Sequence, residues 1–171
     1  TEAVIENATN LVTANTTATT TEADAIAAFT QAVVYSVSGT AAEVTAASAG
    51  GRNEAVNITI TDTANITQDT VAEDATNSGA VTVDSITDSA AAIAGSTEAV
   101  IENATNLVTA NTDATVLEAS NIDGFVKAVT FAVTDSAAAI AGSSDAVLDE
   151  ATSITANTTA TTTEADAIAA F

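Results

Sequence analysis

Five residue types are missing from this chain of 171 residues: cysteine, methionine, tryptophan, proline and histidine. Without cysteine there are no disulfides, thiolate metal ligands or thiol nucleophiles. Without histidine the chain lacks the commonest general base and the commonest transition-metal ligand. The absence of proline beside abundant threonine sets it apart from a proline-rich disordered stalk. Positive charge is almost absent too: Arg52 and Lys127 stand against 23 carboxylates, for a net charge of −21. Phosphate recognition needs clustered Lys and Arg, so nucleic acid is not an expected partner, and neither is anionic lipid. No apolar run approaches the ~18 residues of a membrane span, so no membrane insertion is expected. The opening T-E-A-V-I-E has neither a start Met nor a basic n-region, and reads as a mature or internal piece of something longer.

What is present is small and apolar. Hydrophobic residues make up 47% of the chain but aromatics only 3%. Alanine buries little area, and each Å² is worth only about 25 cal/mol, so thin regular layers suit this composition better than one large core. The acidic surface suits high salt, where screening limits self-repulsion. It also offers hard oxygen ligands to Ca²⁺.

The sequence repeats itself. T-D-S-A-A-A-I-A-G-S occurs at 87–96 and again at 134–143, an offset of 47. Residues 1–16 (TEAVIENATNLVTANT) recur at 97–112, and residues 13–29 (TANTTATTTEADAIAAF) recur at 155–171, offsets of 96 and 142. These are near multiples of about 47, so the chain reads as a single array of about three and a half units with no linker domain. Approximate units are 1–16 (partial), 17–66, 67–112, 113–158 and 159–171 (partial).

A finer period lies within each unit. β-Branched segments at 11–13, 33–37, 56–61, 81–87, 107–109, 129–133 and 154–155 are spaced by about 22 to 26 residues. Val129, Phe131 and Val133 alternate with Thr130 and Thr134, as Val33, Tyr35 and Val37 do in an earlier copy, which is the pattern of a half-buried strand. Between them lie Ala-rich segments with helix-start chemistry. Thr115 and Glu118 have capping-box spacing. Thr21 precedes an acidic first turn, Asp88 and Asp135 precede S-A-A-A-I as expected N-caps, and Gly95 and Gly142 mark stops before a restart at Ser96 or Ser143–Ser144. The predicted fold class is α/β: a repeat solenoid of strand–helix half-units of about 23 residues, paired into full units of about 47, with parallel strands stacked along the axis. The alternation of T-D-S turns with A-N-T turns favours two kinds of half-unit. The stretch 49–53 (A-G-G-R-N) is expected to be a loop or insertion, and 76–79 a second turn.

Candidate sites follow from this frame. Asp88, Asp135 and Asp62 are candidate Ca²⁺ ligands at turns, although neither the G-G-x-G-x-D nonapeptide nor an EF-hand pattern is present. Asn15, Asn111 and Asn157 occupy the other corners, where stacked amides could hydrogen-bond along an axis. With Arg52 and Asn53 in the divergent middle they are the candidate assembly or variable face. The acidic pairs Glu73–Asp74 and Asp149–Glu150 read as solvated helix faces, since no nucleophile or oxyanion stabiliser accompanies them. Thr59 and Thr61, or Thr17, Thr19 and Thr21, could present ordered hydroxyls, but the spacing does not recur in every strand. N-x-S/T sequons begin at Asn7, Asn15, Asn57, Asn65, Asn103 and Asn157. No enzyme signature is found.

The series T-D-S-A-A-A-I-A-G, E-A-V-I-E-N-A-T-N-L-V-T-A-N-T and A-T-T-T-E-A-D-A-I-A-A-F resembles the Ala/Thr-rich repeat regions of giant secreted bacterial surface proteins, closest in flavour to cyanobacterial ones. Such proteins often carry RTX-type Ca²⁺ repeats and leave by type I secretion. The resemblance implies a large extracellular or cell-surface protein serving as fibre, coat or adhesive stalk. Together these features lead to the expectation of a structural, non-enzymatic segment of an extracellular filament, sheath or surface layer, whose partner is itself. The alternative is a stalk or binding module of a secreted adhesin that recognises surface glycans or another cell.

Overall fold

The computed structural model describes residues 2–171 as a mixed α/β chain with parallel strands. It divides into two compact units, Thr1–Ser85 with Asn103–Thr105, and Ile86–Glu102 with Asn106–Phe171.

The first unit holds α1 (Glu2–Glu6), β1 (Val12–Thr13), α2 (Thr20–Ala27), β2 (Val33–Val34), β3 (Val37–Gly39), α3 (Ala41–Ala46), α4 (Ala49–Asn53), β4 (Ile58–Ala64) and α5 (Ile66–Glu73), and takes the first part of β5 (Val81–Asp88). Each strand lies beside one that follows it by a strand–helix step. Val12 pairs with Val33, and Val37 with Ile58, both 21 residues on. Ile58 N donates to Ala80 O at 3.1 Å, which sets β4 beside β5. These strand pairs are parallel, so each connection between paired strands is a crossover, and helices supply it. Across steps, α2 packs on α4 and α3 on α5.

The second unit repeats the arrangement. It takes the end of β5, then α6 (Ala90–Ala94), α7 (Glu98–Glu102), β6 (Val108–Ala110), α8 (Val116–Asp123), β7 (Val129–Thr130), β8 (Val133–Asp135), α9 (Ala137–Ala141), α10 (Asp145–Asp149), β9 (Ile154–Ala156) and α11 (Thr162–Ile168). Ile86 pairs with Val108, Val108 with Val129 and Val133 with Ile154. α6 packs on α8, α8 on α10, and α9 on α11.

Two kinds of step alternate, as the two turn types suggested. One carries a single helix of seven or eight residues (α2, α5, α8, α11); the other carries two short ones (α3 and α4, α6 and α7, α9 and α10). The A-N-T turns are where register slips. Val108 pairs with Val129 and Ala114 bridges to Val133, so six residues on one side face four on the other. The surplus pushes Asn111 and Thr112 outward as a bulge. The same slip lies between the Val12–Val33 pair and the Ala18–Val37 bridge, and leaves Asn15 and Thr16 exposed.

The core is thin and aliphatic. Ile58 and Ile60 in β4, Val83 and Ile86 in β5, and Phe131 and Val133 near β8 are buried. On the helices, Val44 and Ala72 are buried in the first unit, and Ile93, Ala119, Ile122 and Ile140 in the second. The short alanine helices permit close approach, and burial of a Val or Ile there is worth about 1.5–3 kcal/mol.

Three local expectations are corrected. The helix cap of the T-D-S turn is the serine, not the aspartate: Ser89 Oγ accepts from Ala92 N and Ser136 Oγ from Ala139 N, both at 3.2 Å. Asp88 and Asp135 are the last residues of their strands, one position too early for their oxygens to cap the third helical amide. The cap of α2 is Thr19, which forms a full capping box with Glu22, rather than Thr21. The stretch 49–53 is helix α4, not a loop. It is the second short helix of its step, equivalent to α7 and α10, and that position outweighs the weak helix propensity of two glycines. The expected box at Thr115 and Glu118 forms, with a 2.8 Å bond from Thr115 N to Glu118 Oε2. Gly95 and Gly142 do end their helices, but with right-handed backbone.

Candidate functional site

The residues singled out by sequence converge on the ends of strands, where a chain turns into a helix. A helix leaves its first amides without internal partners. Here the step's own serine, threonine or asparagine satisfies one of them, and the following step supplies an oxygen for another. Ala41 N, opening α3, donates to Asp62 Oδ1 at 2.7 Å. Ala90 N, opening α6, donates to Thr112 Oγ1 at 3.0 Å. Val116 N, opening α8, donates to Asp135 Oδ2 at 3.0 Å, and Ala137 N, opening α9, to Thr158 Oγ1 at 2.9 Å. The partners lie 19 to 22 residues on, one step along the chain. Where the oxygen is a carboxylate, its charge also complements the positive end of the helix dipole.

Asp62 and Asp135 are therefore committed to helix starts. The other oxygen of Asp135 accepts from Ser136 N at 2.7 Å, as Asp88 Oδ1 does from Ser89 N. Among the described residues no group of three or more His, Cys, Asp or Glu comes together to hold a metal ion, so these three aspartates are not gathered into one site. Asn15 and Asn111 sit exposed at the bulged corners, and Asn157 is exposed just beyond β9. They belong to alternate steps at most, so their amides do not stack on one another. Asn111 and Asn157 act instead through their backbone, donating to Asp88 O at 2.8 Å and Asp135 O at 2.9 Å.

The divergent middle is bound into its own unit. Arg52 Nη1 donates to Val44 O at 3.1 Å and to Thr45 O at 3.3 Å, and also to Ala47 O, and so closes the carboxyl end of α3. Asn53 Oδ1 accepts from Thr76 N at 3.1 Å, and Asn57 Oδ1 from Ala80 N at 3.0 Å. The turn at 76–79 is thus tied down by the asparagines of the preceding step. Tyr35 is buried beneath, and its hydroxyl donates to Gly51 O at 3.0 Å. Burial first, then Glu54 and Asp24 nearby, push the phenol up to about 12. Glu6, Glu22, Glu43 and Glu164 are held below the usual carboxylate range by threonine donors, Thr30 for Glu6 and the capping threonines for the others.

One residue escaped the sequence reading. Asp69, in α5, is fully buried. Its Oδ1 accepts from Asn103 Nδ2 at 3.1 Å, and the same amide donates to Glu73 Oε2 at 2.9 Å. Its Oδ2 is buried with no hydrogen-bond partner. Desolvation, with a smaller contribution from Glu73, raises its pKa from 3.8 to about 6, against the opposing bond from Asn103. The signal was available in the repeat. Counted from the cap (Thr19, Asn65, Thr115), the fourth residue is Ala23, Asp69 and Ala119, and all three are buried.

Among the described residues no helix is long and apolar enough to cross a membrane. No protein-family model matches the sequence, and neither a curated protein nor a solved structure matches it.

Proposed function

We propose that this chain is a structural, non-enzymatic segment of an extracellular filament, sheath or surface layer, in which strand–helix steps form a solenoid and chains join by stacking end to end. The observation that carries the reading is a comparison the chain makes with itself. Residues 13–29 and 155–171 are the same sequence. In the first copy Ala23 is fully buried and α2 is covered by α4. In the second copy Ala165 is exposed and α11 buries no residue. Identical side chains are core in one setting and surface in the other, so the neighbouring step, and not the step's own sequence, decides their burial. A repeat whose steps complete one another's cores and helix caps is suited to stacking in series.

The glycan-binding alternative draws less support. It would use the divergent stretches 49–53 and 76–79, where Arg52 and Asn53 spend side-chain polar atoms on backbone groups of their own unit.

Electron microscopy of the purified chain tests the proposal. Filaments of uniform width are expected, with an axial repeat that is a multiple of the ~4.8 Å strand spacing. A chain that stays monomeric at high concentration and high salt would remove the proposal.

A further inference from the structure

The N-x-S/T sequons are the one motif that the structural reading leaves unused, and the fold treats them unequally. The Asn103 amide donates to Asp69 Oδ1 at 3.1 Å and to Glu73 Oε2 at 2.9 Å. Ala104 beside it is buried, and the Thr105 hydroxyl donates to Val83 O at 3.1 Å. Asn7, the counterpart of Asn103 in the 96-residue offset, donates to Ala3 O at 2.6 Å. Asn57 accepts from Ala80 N at 3.0 Å and donates to Ser36 Oγ at 3.4 Å, with Ile58 buried in β4. Asn65 caps α5 and accepts from Gln68 N at 2.8 Å, so the Thr67 of its sequon already lies inside a helix.

Asn15 and Asn157 differ from these. Both belong to an A-N-T-T turn, and in each the asparagine and the two threonines after it are exposed. Among the described residues no hydrogen bond engages either side-chain amide. The exposure belongs to the turn and not to the ends of the sequence, as Asn111 shows. Asn111 holds the same place with a step on either side: its N donates to Asp88 O at 2.8 Å, and Ala114 N donates to Ala132 O at 2.7 Å. Residues 111–113 are nevertheless all exposed. The turn is anchored through its backbone, and its side chains are left to solvent. Asn111 carries no sequon only because Asp113 stands where the other two turns have Thr17 and Thr159.

We propose that Asn15 and Asn157 are acceptor sites for an N-linked glycan, and that the fold closes Asn57, Asn65 and Asn103 to the same modification. The donor is a lipid-pyrophosphate-linked oligosaccharide, and a separate oligosaccharyltransferase carries out the transfer. The asparagine Nδ2 attacks the anomeric carbon of the sugar. An N–C bond forms there as the C–O bond to pyrophosphate breaks. The lipid pyrophosphate leaves with that electron pair, and the amide nitrogen gives up one proton to the transferase. The folded chain contributes a free amide and, two residues on, the exposed hydroxyl of Thr17 or Thr159. The proposal is independent of end-to-end stacking.

The test is an in vitro reaction of the folded 171-residue chain with a lipid-linked oligosaccharide and a transferase that modifies short peptides spanning each sequon. Glycopeptide mass spectrometry then reads occupancy site by site, normalised to the peptides. Asn57, Asn65 and Asn103 must break hydrogen bonds to present their amides, so their occupancy should be at least ~10-fold below that of Asn15 and Asn157. Asp113→Thr gives the internal turn the sequon N-T-T. It replaces an exposed carboxylate that accepts from Thr134 Oγ1 at 2.7 Å, and circular dichroism should be unchanged. This variant should gain a glycan at Asn111. Occupancy spread evenly over the sequons, or no modification of Asn15 and Asn157 in the folded chain, overturns the proposal. Modification of Asn15 and Asn157 without Asn111 in a folded Asp113→Thr chain overturns it too, since the turn would then not be what presents the amide.

Discussion

Asp69→Asn should stabilise the protein, and only where Asp69 would otherwise be ionised. The carboxyl is fully buried, one of its oxygens has no partner, and its pKa rises from 3.8 to about 6. A folded-state pKa above the unfolded one means that the folded chain keeps a proton the unfolded chain has lost. The contribution of Asp69 to stability is therefore greatest below about pH 4, falls as pH rises through the window between 3.8 and about 6, and is lowest above it. A rise of that size corresponds to about 3 kcal/mol at most, at 1.36 kcal/mol per unit. Asn103 and Glu73 are only half-buried, so solvent screens part of the effect and leaves on the order of 2 kcal/mol. Asparagine keeps the shape and the acceptor for Asn103 but cannot ionise, so it stands in for the protonated acid at every pH.

Urea unfolding followed by circular dichroism, at fixed salt and with chelator present, measures the difference. Wild type and Asp69→Asn should be nearly equal at about pH 3.5, and the variant should be more stable by about 2 kcal/mol at about pH 8. The variant also relieves one unit of a net charge of −21. Asp74→Asn, an exposed change beside the same helix, controls for that and should shift stability by no more than about 0.5 kcal/mol. A difference that is the same at both pH values, or a variant less stable than wild type at about pH 8, would refute the reasoning.

Two further outcomes follow from the packing around α4. A Cβ on Gly51 would lie 2.4 Å from Asp24 Oδ1 and 3.2 Å from Asp24 N. Asp24 Oδ1 already accepts from Ser48 N at 2.9 Å and Ser48 Oγ at 2.8 Å, so it cannot move aside cheaply. Gly51→Ala should therefore cost about 2 kcal/mol in thermal or urea unfolding, whereas Gly50→Ala, whose Cβ meets nothing closer than 3.4 Å, should be neutral or slightly stabilising. Equal behaviour of the two would show that α4 does not pack as described. Tyr35 is the only tyrosine, so its titration can be read directly by tyrosinate absorbance. With its pKa at about 12, absorbance should stay flat past the ordinary value of about 10 and rise only near 12 or on unfolding; a midpoint near 10 would contradict the buried phenol and its bond to Gly51.

The strands were readable because alternation is a strong signal even in short runs: the valines and phenylalanine of V-T-F-A-V face inward as expected. Helix positions were readable as well, through Thr115 and Glu118, but cap identity was not. In T-D-S both Asp and Ser are good caps, and the choice depends on where the strand ends, which is set by pairing with Val108 and Ala110 rather than by the local sequence. The segment 49–53 misled for a related reason. Its glycines speak for a loop, while Gly51 is small because Asp24 and Ala23 pass close beside it in the neighbouring step. Asp69 was invisible as one of 23 carboxylates and becomes conspicuous once the helices are superposed and its counterparts are Ala23 and Ala119. In each case the missing information was a contact made one step away.

That pattern bears on what one step can do alone. The amides that open α3, α6, α8 and α9 find their second oxygen only on the next step, at Asp62, Thr112, Asp135 and Thr158. Leaving a helix end without its cap costs about 1 kcal/mol, and each step also leaves an apolar face open until a neighbour covers it. An isolated step of about 23 residues cannot recover the backbone entropy of ordering itself, which runs to about 1–2 kcal/mol per residue. Stability then comes from contacts between neighbouring steps more than from the steps themselves. Asp62, Thr112, Asp135 and Thr158 thus each fasten a helix start to the step that follows it, and the loss of any one of them should be felt in the preceding step.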